Sequence, residues 1–196
     1  MKRALLLAAL CLGPALAAPP RTSDPARMSD PSRKSEQPPS SFTAVAQLRQ
    51  ARPTLDLLVT VRLLAGLLER GTLAPGAQAR AELRAALEGL PDQPTLGPLA
   101  AERTLERVRG ALTDTERGTL DAARADLERR ANLNLSRVRL AMQDGPASVP
   151  LARYGFMLPG GLALARAVAA DPERNPYAEG GPSAEALRRV LALLGA

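Results

Sequence analysis

Residues 54–71 read TLDLLVTVRLLAGLLERG, in which Leu57, Leu58, Val61, Leu64, Leu67 and Leu68 recur at helical spacing. A helix over Leu55–Arg70 carrying that stripe has too much apolar surface to leave in water, so it is expected to be the buried centre of the fold. Thr54 is placed to cap its start, and Gly71 to stop it, because glycine enters the left-handed turn after a helix without steric cost. Just upstream, Thr43–Arg52 is expected to form a separate short helix. Pro53 ends it, since proline has no N–H to continue the backbone ladder.

Downstream, three segments share one plan in which a leucine is followed by a turn or cap and then by an amphipathic helix. They are Leu73-Ala74-Pro75-Gly76, Leu96-Gly97-Pro98-Leu99 and Leu112-Thr113-Asp114-Thr115-Glu116. In the first two, proline suits the first helical position, where an N–H has no partner anyway. In the third, Thr113 and Glu116 have capping-box spacing, so that each side chain serves a backbone donor of the other residue. Helices are therefore expected over Gly76–Leu90, Pro98–Leu112 and Asp114–Gln143. The last carries Leu120, Ala123, Leu127, Ala131, Leu135, Val138 and Met142 on one stripe and ends at Asp144-Gly145-Pro146. A connection with Tyr154, Phe156 and Met157 leads to Gly160-Gly161, a short helix to about Ala170, a turn at Asp171-Pro172 and a capped helix over Ser183–Leu194. No stretch alternates with period two over strand length. The expected fold is all-α, an irregular bundle of about six to seven helices after a disordered N-terminal segment.

The chain starts MKRALLLAALCLGPALA, with Lys2 and Arg3 ahead of an apolar run from Ala4 to Leu12 and small residues at Ala15 and Ala17. That order is the layout of a secretory signal peptide cut after Ala17. The apolar run is roughly half the ~18 residues that a membrane-spanning helix needs. Cys11 could alternatively carry a lipid, but Leu10 stands where lipid attachment wants a small residue. Residues 18–41 are rich in Pro, Ser and charge and hold an imperfect six-residue repeat, Ser23–Met28 followed by Ser29–Lys34. So little apolar surface cannot offset the entropy of ordering, and the segment is expected to be a disordered spacer. The organisation expected is a signal peptide over 1–17, a spacer over 18–41 and a helical domain over 42–196. The address is secreted or periplasmic in a bacterium, with no membrane span in the mature chain.

Composition restricts the chemistry. The chain has no histidine and one cysteine, Cys11, which departs with the signal peptide. The mature protein therefore lacks the usual general base near neutral pH, the commonest transition-metal ligand, and any disulfide. Lys34 is the only lysine after the leader, and it lies in the spacer. Glu102 with Glu106, and Asp121 with Asp126 and Glu128, could serve as acid/base or calcium groups, but arginines at helical spacing make exposed ion pairs the simpler expectation. Neither catalytic, cofactor-binding nor metal-binding residues are assigned, and an enzyme is not expected.

Gly160-Gly161 lacks the strand and remaining pattern of a nucleotide fingerprint and is read as a helix start. Asn134-x-Ser136 matches a glycosylation acceptor by chance. Tyr154, Phe156, Met157 and Tyr177 either line a pocket or cap the core beneath a loop.

The formal charge of +6 falls to about +4 once Lys2 and Arg3 are removed. Nearly all basic residues are arginines interleaved with acids, and two Phe, two Tyr and no Trp give few stacking platforms, so nucleic acid is not an expected partner.

The succession Leu-Leu-x-x-Leu, Leu-x-Pro, and Ala-Leu-Thr-x-x-Glu at Ala111–Glu116, with the ending Asn175-Pro176-Tyr177-Ala178-Glu179-Gly180, resembles a group of small exported bacterial proteins. The likeness spans about Leu55–Ala196 and implies a helical fold and an exported address, without an activity. More distantly, Leu112–Glu116 is similar to the Leu-Thr-x-x-Gln helix start of envelope-stress chaperones typified by Spy and CpxP, with Glu116 in place of Gln. Two functions are expected from these features. The first is a non-enzymatic envelope protein acting through protein interaction, with a link to stress or chaperoning implied by the resemblance. The alternative is a peripheral binder of anionic lipid or envelope polymer through arginine-rich helix faces.

Overall fold

The computed structural model describes residues 41–138 and 148–195. The chain divides into two units, Met1–Gln37 and Pro38–Ala196, and every described residue belongs to the second. The leader over 1–17, nearly all of the spacer over 18–41, and the stop at Asp144-Gly145-Pro146 lie outside the described residues.

Among the described residues the fold is all-α, with seven helices: α1 Ser41–Glu69, α2 Ala77–Leu87, α3 Pro98–Ala111, α4 Asp114–Val138, α5 Ser148–Met157, α6 Gly161–Ala170 and α7 Gly181–Gly195. Helix α1 packs against α3, α4, α5, α6 and α7, while α2 rests on α3 and α7, and α5 on α4 and α6. The expected central helix is therefore the shaft of the bundle. Leu55, Leu57, Val59 and Leu64 have no solvent exposure, and Leu58, Val61 and Leu67 nearly none.

One expectation at this helix is corrected. Helix α1 runs through Pro53, joining the two helices expected on either side. Proline in a helix interior costs about 3 kcal/mol of helix preference. Offsetting it, Leu48 packs against the core and Ala51 is fully buried, in line with Leu55 and Leu58 at positions three, four and three residues on. Burial of that continuous stripe outweighs one missing backbone bond. Thr54 is consequently no cap but an interior residue, fully buried, whose Oγ1 has no hydrogen-bond partner.

Other helix starts follow local chemistry more closely. Pro98 takes the first turn of α3 behind Gly97. Pro75 does not enter α2, which starts at Ala77 behind Gly76; instead the Pro75 carbonyl accepts a hydrogen bond from Arg80 Nε at 3.0 Å. The capping box forms at α4: the Thr113 N–H donates to Glu116 Oε2 at 2.8 Å, and the Glu116 N–H donates to Thr113 Oγ1 at 3.3 Å. Replacing Glu116 by alanine is expected to lower unfolding free energy by ~1 kcal/mol, read as a lower urea midpoint at unchanged slope. Along α4, Leu120, Ala131 and Leu135 are buried and Ala123 and Leu127 pack against the core; Met142 lies outside the described residues.

The segment holding Tyr154, Phe156 and Met157 is helical, not a connection, and forms α5. It turns sharply into α6 through Gly161, whose φ of 64° is left-handed backbone that favours glycine. A Cβ on Gly155 would stand 2.9 Å from the Leu162 backbone, so the absence of a side chain lets α5 and α6 touch directly. Gly160-Gly161 is thus the corner of a close-packed helical hairpin. The paired small residues, invisible to helix periodicity, set that geometry.

Candidate functional site

The sequence-derived candidates separate into groups with different surroundings. Tyr154, Met157 and Tyr177 are buried in the core, whereas Phe156 stands 39% exposed. Tyr154, Met157 and Tyr177 thus belong to the core. Tyr177 is fully enclosed and its hydroxyl has no partner. Tyr154 donates its hydroxyl to Asp56 Oδ1 at 2.7 Å.

Asp56 is the hub of a polar cluster joining α1, α4 and α5. Arg124 donates from Nη2 to Asp56 Oδ1 at 2.5 Å and from Nε to Glu128 Oε1 at 3.0 Å, while Arg52 approaches Asp56 Oδ2 at 3.6 Å. Burial alone would lower the proton affinity of Arg124; hydrogen bonds and charges from Asp56 and Glu128 outweigh it and raise that affinity. Other carboxylates of α4 are likewise held by arginines. Asp121 is held by Arg109 at 3.0 Å, and Asp126 by both Arg129 and Arg130. Glu102 and Glu106 are exposed on α3. Among the described residues, no group of three or more potential metal ligands comes together. Asn134 and Ser136 are exposed on α4, and the Ser136 hydroxyl donates to the Leu133 carbonyl at 2.8 Å.

Both tyrosines resist ionisation. Burial, then the charge and hydrogen bond of Asp56, raise Tyr154 well above its ordinary value, and burial alone raises Tyr177. A raised folded-state pKa contributes stability that is complete below the unfolded value of about 10 and declines as pH climbs beyond it. Above about pH 10, unfolding free energy should therefore fall by up to ~1.4 kcal/mol per pH unit for each tyrosine. Because the chain has two tyrosines and no tryptophan, tyrosinate absorbance reports these sites alone, and should rise together with loss of helical circular dichroism.

The site that sequence reasoning missed lies on the same helix pair. A groove of about 330 Å³ runs between α1 and α4, lined by Arg62, Leu63, Gly66, Arg70, Ala123, Asp126, Leu127 and Arg130. Three guanidinium groups and one carboxylate thus face one cleft. Arg62 is half-buried and, among the described residues, has no carboxylate partner; it donates to the carbonyls of Met157 and, at 3.5 Å, Phe156, capping the end of α5. Burial, and then the charge of Arg130, lower its proton affinity, yet a guanidinium remains charged at neutral pH. Arg62 and Gly66 also line a second groove of about 370 Å³, shared with Glu69, Pro159, Pro182 and Arg189.

A signal for this site existed in the opening stretch. Asp56 and Arg62 are the only charged residues from Thr54 to Leu68, and each serves a contact that a leucine could not. Other arginines, solvated on their helix faces as expected, also reach backbone carbonyls. Arg117 donates to the carbonyls of Arg109 and Leu112 at the end of α3, and Arg107 to that of Ala85 on α2. These side chains close neighbouring helix ends.

No protein-family model matches the chain, and no curated protein or solved structure matches it. Fold and groove together define an all-α bundle with a cationic cleft on one face. No helix among the described residues is long and apolar enough to cross a membrane.

Proposed function

We propose that this chain is a non-enzymatic, exported helical protein of the bacterial cell envelope that works by binding, and that its partner presents an anionic surface. The observation carrying this is the α1/α4 groove, where Arg62, Arg70 and Arg130 meet a single carboxylate, Asp126. Cations gathered around a partly dehydrated cleft repel one another, and a bound anion relieves that repulsion while accepting their hydrogen bonds. Export is supported by the leader-like order of residues 1–17.

Two measurements test the two halves. The purified protein should sediment with vesicles containing anionic lipid, not with zwitterionic ones, and release as salt is raised. Absence of sedimentation at low ionic strength would remove the surface partner. Protein recovered from bacteria should begin at Ala18 and be found outside the cytoplasm; an intact Met1 terminus in the cytosol would remove export.

Capture of a protein partner is a second reading, favoured by Leu133, which is 57% exposed on the outer face of α4 beside Arg129 and Asn132. Suppression of client aggregation, lost on Leu133→Ser, would support it. Inactivity of the unaltered protein in that assay would count against it.

A further inference from the structure

We infer that the α1/α4 groove is a site for a terminal phosphate group, a phosphomonoester or inorganic phosphate, gripped by Arg62, Arg70 and Arg130. The inference rests on the anionic-surface function above and narrows it to one cleft and one chemistry.

Charge count and geometry both point this way. Three arginines and Asp126 leave the lining with a surplus of two positive charges. A terminal phosphate carries about −1.5 to −2 at neutral pH and offers three acceptor oxygens, one for each guanidinium fork. A carboxylate or phosphodiester brings a single negative charge and would leave cationic repulsion unrelieved. Asp126 already shares its oxygens between Arg129 and Arg130, so Arg130 can turn toward a ligand while Arg129 keeps the carboxylate neutralised.

Gly66 leaves bare backbone in the cleft lining. Gly66 sits in the interior of α1, where glycine weakens a helix. A Cβ there would stand 3.1 Å from Arg70 Nη1, so an alanine would make the Arg70 guanidinium give way by a few tenths of an ångström within the groove. Arg62 is anchored at the end of α5, which holds one donor group in place before any ligand arrives.

The test combines calorimetry with inorganic phosphate and sedimentation with vesicles of phosphatidic acid or phosphatidylglycerol at equal surface charge, using the full chain. A saturable phosphate isotherm indicates a free-phosphate ligand. Preference for phosphatidic acid without such an isotherm indicates a lipid head group. Either result supports the site, provided Arg130→Gln weakens it about tenfold or more while Arg103→Gln, on exposed α3, does not.

Gly66→Ala supplies a variant that keeps its fold: Tm should hold or rise while phosphate binding weakens. Binding unaltered in both groove variants overturns the site. So does the absence of both a phosphate isotherm and a preference for phosphatidic acid. If both vesicle types bind equally and groove substitutions change nothing, the groove fails while the surface function stands. If no vesicle binds but phosphate does, the surface function fails and the groove stands.

Discussion

Asn175→Ala is expected to lower unfolding free energy by about 3 kcal/mol, a large fraction of what a domain of this size holds in reserve. Asn175 is 2% exposed and lies in the segment between α6 and α7. Its amide donates to the carbonyls of Leu90 and Gln93, each at 2.7 Å, and its Oδ1 accepts the Tyr177 N–H at 3.0 Å. Truncation would leave the buried Tyr177 N–H unpaired, reduce the Leu90 carbonyl to a long bond from the Gln93 N–H at 3.4 Å, and free the Gln93 carbonyl, and an unsatisfied buried group costs about 1–3 kcal/mol before relaxation. The same clamp aligns the Leu96 N–H with the Glu173 carbonyl at 2.9 Å, so the loop between α2 and α3 should loosen too. Hydrogen exchange should show faster amides at Leu96 and Tyr177, and amides at the centre of α1, which exchange through global unfolding, should quicken in proportion to the lost stability. Unaltered stability would mean that water replaces the amide there.

Asp56→Ala is expected to cost about 3 kcal/mol, because it leaves a partly buried Arg124 and the Tyr154 hydroxyl without their shared acceptor. The loss should be strongly non-additive with Tyr154→Phe. In a double-mutant cycle, Tyr154→Phe should be nearly silent once Asp56 is gone, because the hydroxyl then has nothing to bond. Asp56→Asn should be milder than Asp56→Ala, since its carbonyl oxygen can still accept one of the two bonds. Additivity within about 0.5 kcal/mol would show that Asp56 and Tyr154 act independently.

Several of these features could be read directly from residue order. The Leu57-to-Leu68 stripe identified the helix that became the shaft, and Thr113 with Glu116 marked the start of α4. Both depend on interactions within a few residues of chain, so local spacing carries them. Pro53 was misleading for the complementary reason. Proline reports a local penalty of about 3 kcal/mol, whereas the compensating burial of Ala51 and Leu48 comes from helices far away in sequence. Tyr154, Phe156 and Met157 read as a connection because α5 is short and contains Pro150 and Gly155, which weaken the helical pattern, while Gly155 is what permits close contact with α6.

By itself the sequence determined the fold class, the central helix and the lack of histidine chemistry, since composition and periodicity settle which faces must leave water. Only the tertiary structure decided which arginines close helix ends, which hold carboxylates, and which three converge on a cleft. Arg62, Arg70 and Arg130 are separated by up to about 70 residues, and a guanidinium's role depends on what lies within a few ångströms of it. Charge falls off with distance in space, and the packing of α4 on α1 sets that distance.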